Sequence, residues 1–152
     1  MTPKVHAISG FILASLLYFI FPEVNLLFAL LIFISSFAID GDYFLYHMYK
    51  TGKFSLIGTY KYARSRGTKY KSLSKKNKKE YFRAYRIFHG IEIPIILFFL
   101  GRFVWAGFYF ILIGVGLHLI LDWYCDLVYG IRQDKLSIIL SLFRLRKLKE
   151  IQ

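Results

Sequence analysis

The sequence predicts an all-α polytopic membrane protein, a bundle of four transmembrane helices that forms a single domain over residues 1–152. The chain is 57% hydrophobic and 20% aromatic, and its apolar residues form long runs. It nevertheless carries 21 lysines and arginines against 9 acidic residues, and these basic residues concentrate between the runs. A soluble domain of this size does not combine such apolar content with a net charge of +12, whereas a membrane protein does.

Four apolar runs define the expected spans. A bilayer core requires roughly 20 helical residues, so the first and last runs are nearly long enough by themselves. The two middle runs are shorter and need additional amphipathic turns to complete a span. Pro22 ends the first helix because proline lacks a backbone N–H. The expected spans cover about residues 5–21, 24–40, 86–101 and 103–126.

The basic residues predict the orientation of the spans. Thirteen of the 21 lie between Asp42 and His89, and six more follow the fourth run, from Arg132 to Lys149. An even number of spans puts both segments on one side, which the positive-inside rule makes cytoplasmic. We therefore expect an integral protein of the cytoplasmic membrane with both termini in the cytoplasm.

Two segments outside the spans are expected at the cytoplasmic surface. The basic segment 43–85 interleaves cations with tyrosines and is predicted to bind anionic lipid headgroups, with about 1 kcal/mol from each nearby cation. Nucleic acid is a weaker alternative for this pattern, because the topology already explains the charge. The tail 134–152 is predicted to be an amphipathic helix, either in the membrane interface or packed against the bundle.

All four predicted spans carry histidine or carboxylate groups near their cytoplasmic ends. Burying such groups unpaired is costly, so their common height predicts a shared polar centre. The outer ends offer only Glu23 and Arg102. The groups are His6 in the first span, Asp40 and Asp42 in the second, His89 and Glu92 in the third, and His118 and Asp122 in the fourth.

The spacing within two of these spans favours a metal site. His118 and Asp122 are four residues apart, and His89 and Glu92 are three apart, so each pair is expected on one face of a helix. Helical bundles hold metals with such pairs on facing helices. The competing interpretations are a structural polar cluster and an element of a proton path.

Asp40 and Asp42 are separated only by Gly41, which is expected to let the backbone turn sharply. Both carboxylates then face the bundle axis, or one binds a metal while the other orients a histidine. A third alternative is that Asp40 caps the following turn.

Four motifs in order resemble the small bacterial and archaeal integral-membrane proteins known as membrane-bound metal-dependent hydrolases. They are "VHAISG", "DGD", a histidine that opens the third run, and "HLILD". Two departures stand out: Tyr43 replaces a histidine after the paired aspartates, and "YRIFHG" keeps one histidine of two. His47 either substitutes for the missing histidine or is a solvated interfacial residue. The resemblance implies a divalent metal, zinc foremost, and hydrolysis distantly like that of zinc-dependent phospholipase C.

The expected activity is metal-assisted hydrolysis of a lipid phosphoester, or a related lipid ester, at the cytoplasmic leaflet. One or two zinc ions suit mixed nitrogen and oxygen ligands, with iron or manganese as alternatives. A metal-activated water is the nucleophile, with Glu92 or Asp42 as general base. Arg83 and Arg86 either hold the phosphate or anchor the chain at the interface. The predicted ligands are His6, Asp40, Asp42, His89, His118 and Asp122.

Two other classes of protein fit the same residues. One is a non-hydrolytic metal protein, either a di-iron-type oxidoreductase or a metal carrier. A carrier is disfavoured because its ligands are expected near the membrane midplane, with a route to both faces. The other is a regulatory or scaffolding membrane protein whose polar cluster is structural. The sequence does not predict the substrate or the oligomeric state.

Overall fold

The computed structural model describes residues 3–74, 77, 81–82, 88–128, 137–138 and 149–150. Within these residues the chain forms six α-helices and one pair of two-residue strands. The all-α class is therefore confirmed. The helices are α1 (Pro3–Ile20), α2 (Leu26–Ala38), α3 (Gly41–Thr51), α4 (Leu56–Ser72), α5 (Glu92–Phe103) and α6 (Gly107–Val128), and the strands are β1 (Tyr81–Phe82) and β2 (Lys149–Glu150).

The chain divides into two compact units. Unit 1 consists of Met1–Ile39 and Ile91–Cys125, and unit 2 of Asp40–Gly90 and Asp126–Gln152. Unit 1 therefore contains α1, α2, α5 and most of α6. Unit 2 contains α3, α4 and both strands.

Two helices in the described chain are long and apolar enough to cross a membrane. They are α1, with 18 residues, and α6, with 22. A third span results if α2 and α3, which are separated by two residues, form one broken span. With 13 and 12 residues, α2 and α5 are each shorter than the roughly 20 that a bilayer core requires. The predicted four-span topology, its orientation and its cytoplasmic basic segment stay predictions.

Small residues bring the helices of unit 1 into close contact. A Cβ atom added at Gly10 of α1 would overlap the Ser36 hydroxyl of α2, and one added at Gly114 of α6 would overlap the Ile32 carbonyl. Helices in membranes commonly approach through glycine and serine in this way. Ile32 is fully buried and belongs to a small apolar core with Ala14. Helix α2 is therefore in direct backbone contact with α6 and packs against α1.

The close approach at Gly114 predicts a measurable cost for adding one methyl group. Gly114→Ala is expected to destabilise the fold by about 1–3 kcal/mol, because the backbone carbonyl of Ile32 cannot rotate away. Gly116→Ala is the matched control, since a Cβ there meets no described atom within 4 Å and alanine favours helix by about 0.5–1 kcal/mol. Thermal unfolding in detergent should separate the two variants. Equal transition temperatures would contradict the packing of α6 on α2.

The helix after the basic segment begins later than the sequence indicates. The third span was predicted from residue 86, whereas α5 begins at Glu92 and His89 lies in the preceding turn. Pro94 explains this start, because its ring clashes with the carbonyl four residues earlier, at Gly90. The prediction that His89 and Glu92 share one helical face is therefore wrong. The helix also ends later than predicted, at Phe103.

In unit 2, α3 and α4 form a short helical hairpin. Gly52 ends α3 with φ 66°, in the left-handed region that favours glycine. Ser55 begins α4 by accepting a hydrogen bond from the Gly58 N–H at 3.0 Å. The segment 43–85 was predicted only to be basic and cytoplasmic. It contains nearly all of α3 and the whole of α4.

The C-terminal tail is described at only four positions. Lys149 and Glu150 form β2, which pairs in parallel with Tyr81 and Phe82 of β1. The described end of the tail is thus a strand where a helix was predicted. The rest of the predicted helix over 134–152, apart from residues 137–138, lies outside the described residues.

Candidate metal-binding clusters

Unit 1 contains a buried cluster of three predicted ligands, His6, His118 and Asp122, which we call the first cluster. Their exposed fractions are 1%, 0% and 3%. The His6 and His118 rings stack with their centroids 3.8 Å apart and their planes inclined by 19°. His6 Nε2 lies 3.3 Å from Asp122 Oδ1. The first cluster therefore joins residues from α1 and α6, and its His118–Asp122 spacing is the one that the sequence predicts.

The backbone of Ser36 fixes the orientation of His118. The Ser36 carbonyl lies 2.8 Å from His118 Nδ1. A carbonyl oxygen only accepts, so Nδ1 carries a proton, and in the neutral imidazole the lone pair is on Nε2. This second hydrogen bond is typical of metal-binding histidines. Ser36 is not predicted from the sequence, where its only signal is a serine pair inside an apolar run four residues before Asp40.

His6 is the least satisfied polar residue of the first cluster. Within the described part of the chain, neither of its ring nitrogens has a hydrogen-bond partner. The 3.3 Å approach to Asp122 is close enough for electrostatic contact but does not meet the geometry of a hydrogen bond. An unsatisfied buried polar group costs about 1–3 kcal/mol and requires an explanation. A cation between the imidazole and the carboxylate would satisfy a ring nitrogen of His6.

Unit 2 contains a second cluster, formed by Asp40, Asp42 and His89. Asp42 Oδ2 accepts the Phe88 N–H at 3.0 Å and lies 3.0 Å from His89 Nδ1. On the other side of the ring, His89 Nε2 lies 3.7 Å from Asp40 Oδ1. Asp42 and His89 are 1% and 3% exposed. A carboxylate only accepts, so His89 Nδ1 carries a proton, and in the neutral imidazole the lone pair on Nε2 faces Asp40.

This geometry gives the two aspartates different contacts. Asp42 orients His89 through Nδ1, as carboxylates do for metal-bound histidines, whereas Asp40 faces the other ring nitrogen. Asp42 also keeps a buried second oxygen, Oδ1, which has no hydrogen-bond partner among the described residues. Of the arrangements expected from the sequence, the one in which one carboxylate orients a histidine matches Asp42.

In the described backbone, the side chains of Asp40 and Asp42 do not stabilise the turn that precedes α3 through a capping hydrogen bond at Asp40 or a bend at Gly41. The predicted turn is present at Ile39 and Asp40, directly before Gly41. It does not need a special glycine conformation, because Gly41 is the first residue of α3 and among the described residues only Gly52 has a positive φ. Asp40 occupies the N-cap position, but within the described backbone its side chain makes no capping hydrogen bond. Asp42 lies in the first turn of α3, where the helix dipole favours a negative charge.

His47 has a structural environment and belongs to neither cluster. Its Nδ1 lies 3.0 Å from the Thr59 hydroxyl and its Nε2 lies 3.4 Å from the Thr51 hydroxyl. The side chain is 5% exposed, so the expectation of a solvated histidine is wrong. The contact with Thr59 connects α3 to α4 inside unit 2, whereas the contact with Thr51 lies within α3.

The predicted base Glu92 is not a member of either cluster. Glu92 is partly exposed in the first turn of α5, in unit 1. Asp126, in unit 2, is a further buried carboxylate with an exposed fraction of 4%. The predicted phosphate-binding residues Arg83 and Arg86 lie outside the described residues. A single centre shared by all predicted ligands stays a prediction.

Comparison of the sequence with protein-family models and with curated proteins, and of the fold with solved structures, gave no match. The functional interpretation therefore depends on the chemistry of the two clusters and on the apolar helices. At the level of class, the chain is an α-helical protein with helices able to cross a membrane and with buried histidine–carboxylate clusters.

Proposed function

We propose that the protein is a membrane-bound metal-dependent hydrolase that cleaves a lipid phosphoester, or a related lipid ester, at the cytoplasmic leaflet. One observation carries the proposal. In each cluster a buried imidazole nitrogen faces a carboxylate oxygen, at 3.3 Å in the first and 3.7 Å in the second. Such a pair of electron-rich atoms is held together by a proton or a cation. A divalent cation suits the site because it binds carboxylates and neutral imidazoles together.

The donor atoms fit zinc. The first cluster offers two imidazoles and one carboxylate. In the second cluster the two carboxylates lie on opposite sides of the His89 ring, so His89 Nε2 and Asp40 are the donors and Asp42 orients the ring. Catalytic zinc sites use three such protein ligands and leave a further position for water or substrate. The orphaned nitrogens of His6 and the orphaned Oδ1 of Asp42 support the same assignment. The resemblance to membrane-bound metal-dependent hydrolases rests on the same residues and implies the same metal, with iron or manganese as alternatives.

A bound metal would supply a nucleophile at neutral pH, because it lowers the pKa of water towards about 7. The chain's own residues then have separate roles. The Ser36 carbonyl holds the tautomer of His118, and Asp42 holds that of His89. Asp42 Oδ1 or Glu92 accepts the proton of the attacking water. Arg83 and Arg86 bind the phosphate oxygens of the substrate.

The helices that are able to cross a membrane support a lipid substrate. A chain with α1 and α6 in a bilayer meets phosphoesters at the level of the headgroups. Basic residues near that level attract anionic headgroups and raise their local concentration. A phosphoester also matches a metal site that stabilises charge on oxygen.

Elemental analysis of detergent-purified protein, prepared without chelators, tests the proposal. We expect close to stoichiometric zinc, together with metal-dependent release of headgroups from mixed phospholipid vesicles. Removal of the metal should abolish the release, and added zinc should restore it. Wild-type protein without metal would overturn the proposal. Iron with visible absorption and no hydrolysis would instead identify a di-iron oxidoreductase.

A further inference from the structure

The α3–α4 hairpin of unit 2 exposes large apolar side chains around its turn. The four most exposed are Tyr49 at 82%, Phe54 at 79%, Leu56 at 73% and Ile57 at 71%. We call these four residues the tip patch. Contiguous exposed apolar residues mark a surface that binds a partner or a membrane. The tip patch therefore requires an occupant.

Other residues of the hairpin are buried and already have packing partners. Tyr46, Thr59 and Arg66 are buried at 5%, 8% and 7% exposure. The Arg66 guanidinium lies over the Tyr46 ring at 5.6 Å and over the Tyr62 ring at 5.1 Å. The hairpin is thus held together by polar and aromatic contacts on one side, and the tip patch lies outside them.

The turn itself is defined by local contacts. Gly52 ends α3 in the left-handed conformation, and Ser55 caps α4. The Thr51 hydroxyl accepts the Lys53 N–H at 3.3 Å. The Phe54 ring packs edge-on against Phe44 with centroids 4.9 Å apart. The tip patch is therefore presented by an ordered turn, which lowers the entropic cost of binding.

Cations surround the tip patch without any acidic neighbour along the chain. Residues 43–79 contain eleven lysines and arginines and no aspartate or glutamate. Lys50 and Lys53 are exposed on either side of Gly52, and Lys61 is exposed one turn after Ile57. Charge complementarity therefore requires a strongly anionic partner. Polyanions such as nucleic acids match the cations, but they do not cover aliphatic side chains such as Leu56 and Ile57.

We propose that the tip patch inserts into the interface of an anionic lipid leaflet. Aromatic and aliphatic side chains at the tip enter the boundary between headgroups and acyl chains, while lysine side chains extend to the phosphates. Each nearby cation strengthens the attraction to anionic lipid. The membrane-crossing helices keep the chain at a bilayer, so no separate recruitment is needed. This surface acts independently of the proposed hydrolase activity.

Spin labels on the full-length protein in vesicles test the insertion. The chain has one cysteine, Cys125, so Cys125→Ser provides a background for single labels. Ile57→Cys reports on the tip patch. Thr68→Cys is the matched control, since it is exposed on a similar face of α4 about three turns away, in its polar half. Collisions with oxygen, which concentrates in lipid, are compared with collisions with a water-soluble nickel chelate.

In vesicles of phosphatidylcholine and phosphatidylglycerol, we expect the Ile57 label to collide several-fold more with oxygen than with the nickel chelate. The Thr68 label should show the reverse. Lys50→Gln combined with Lys53→Gln should move the Ile57 label towards the values in pure phosphatidylcholine. These collision measurements do not involve the metal, so they test the insertion separately from the proposed function.

Three results would overturn the insertion. Equal access of the nickel chelate to both labels would show that the tip patch stays in water. Shielding of the Ile57 label from both reagents would show a protein occupant, such as a second copy of the chain. A change at the Ile57 label on adding an oligonucleotide, without immersion in lipid, would show a nucleic-acid surface.

Discussion

Replacing His118 with alanine is expected to remove bound metal and hydrolytic activity together. The His118 ring is fully buried, is fixed by the Ser36 carbonyl and stacks on His6. Its loss removes one donor from the first cluster and the neighbour that positions a second. The decrease in metal affinity should exceed the roughly 10–100-fold that loss of an orienting partner usually causes. Metal content after dialysis and headgroup release from vesicles measure the effect.

His47→Gln provides the matched control for this substitution. His47 is also a buried histidine, but its neighbours are the hydroxyls of Thr51 and Thr59. The variant should lose some thermal stability and keep its metal. If His118→Ala changed stability as His47→Gln does and left the metal content unchanged, the first cluster would be a structural polar cluster. The scaffolding interpretation would then be preferred.

Two substitutions of Asp42 are expected to separate the effect of its charge on metal affinity from the effect of its hydrogen bonds on stability. Asparagine keeps an oxygen that accepts the N–H groups of Phe88 and His89, but it removes the negative charge. Asp42→Asn should therefore lower metal affinity by about 10–100-fold with little change in stability. Asp42→Ala also leaves two buried donors without this acceptor, which should cost about 1–3 kcal/mol in unfolding free energy. Metal titration and thermal unfolding measure the two effects.

Asp126→Asn is the control for the loss of a buried carboxylate in unit 2. Asp126 is 4% exposed, similar to Asp42, and it lies in the last turns of α6, outside the second cluster. Metal affinity should be unchanged in this variant. An equal fall in affinity for both variants would show a general effect of charge and would remove the specific role of Asp42.

The periodicity and composition of the chain predict the fold class and the positions of the apolar helices. The predicted span at 103–126 corresponds closely to α6, and the one at 5–21 to α1. Helix ends were less predictable, because they depend on single residues and on contacts. Pro94 delays the start of α5, and the helix ends at Phe103, two residues beyond the predicted end.

The residue types of the candidate site were also predictable, but their partners were less so. The four-residue spacing of His118 and Asp122 follows from helix geometry and holds in α6. The spacing of His89 and Glu92 failed, since His89 precedes the helix. His89 instead pairs with Asp42, which is 47 residues away in the chain. A local sequence pattern does not predict a contact between residues so far apart in the chain.

The sequence by itself determined that the chain has helices apolar enough to cross a membrane and that it supplies imidazole and carboxylate groups, because apolar runs and helical spacing are local properties. Only the tertiary structure decided which of these groups meet. His6 reaches His118 because α1 and α6 both pack closely on α2 through small residues. Asp42 and His89 meet because unit 2 folds the turn before α5 back to the start of α3. The physical reason is that side-chain pairing depends on the distance between elements, which packing sets and sequence periodicity does not.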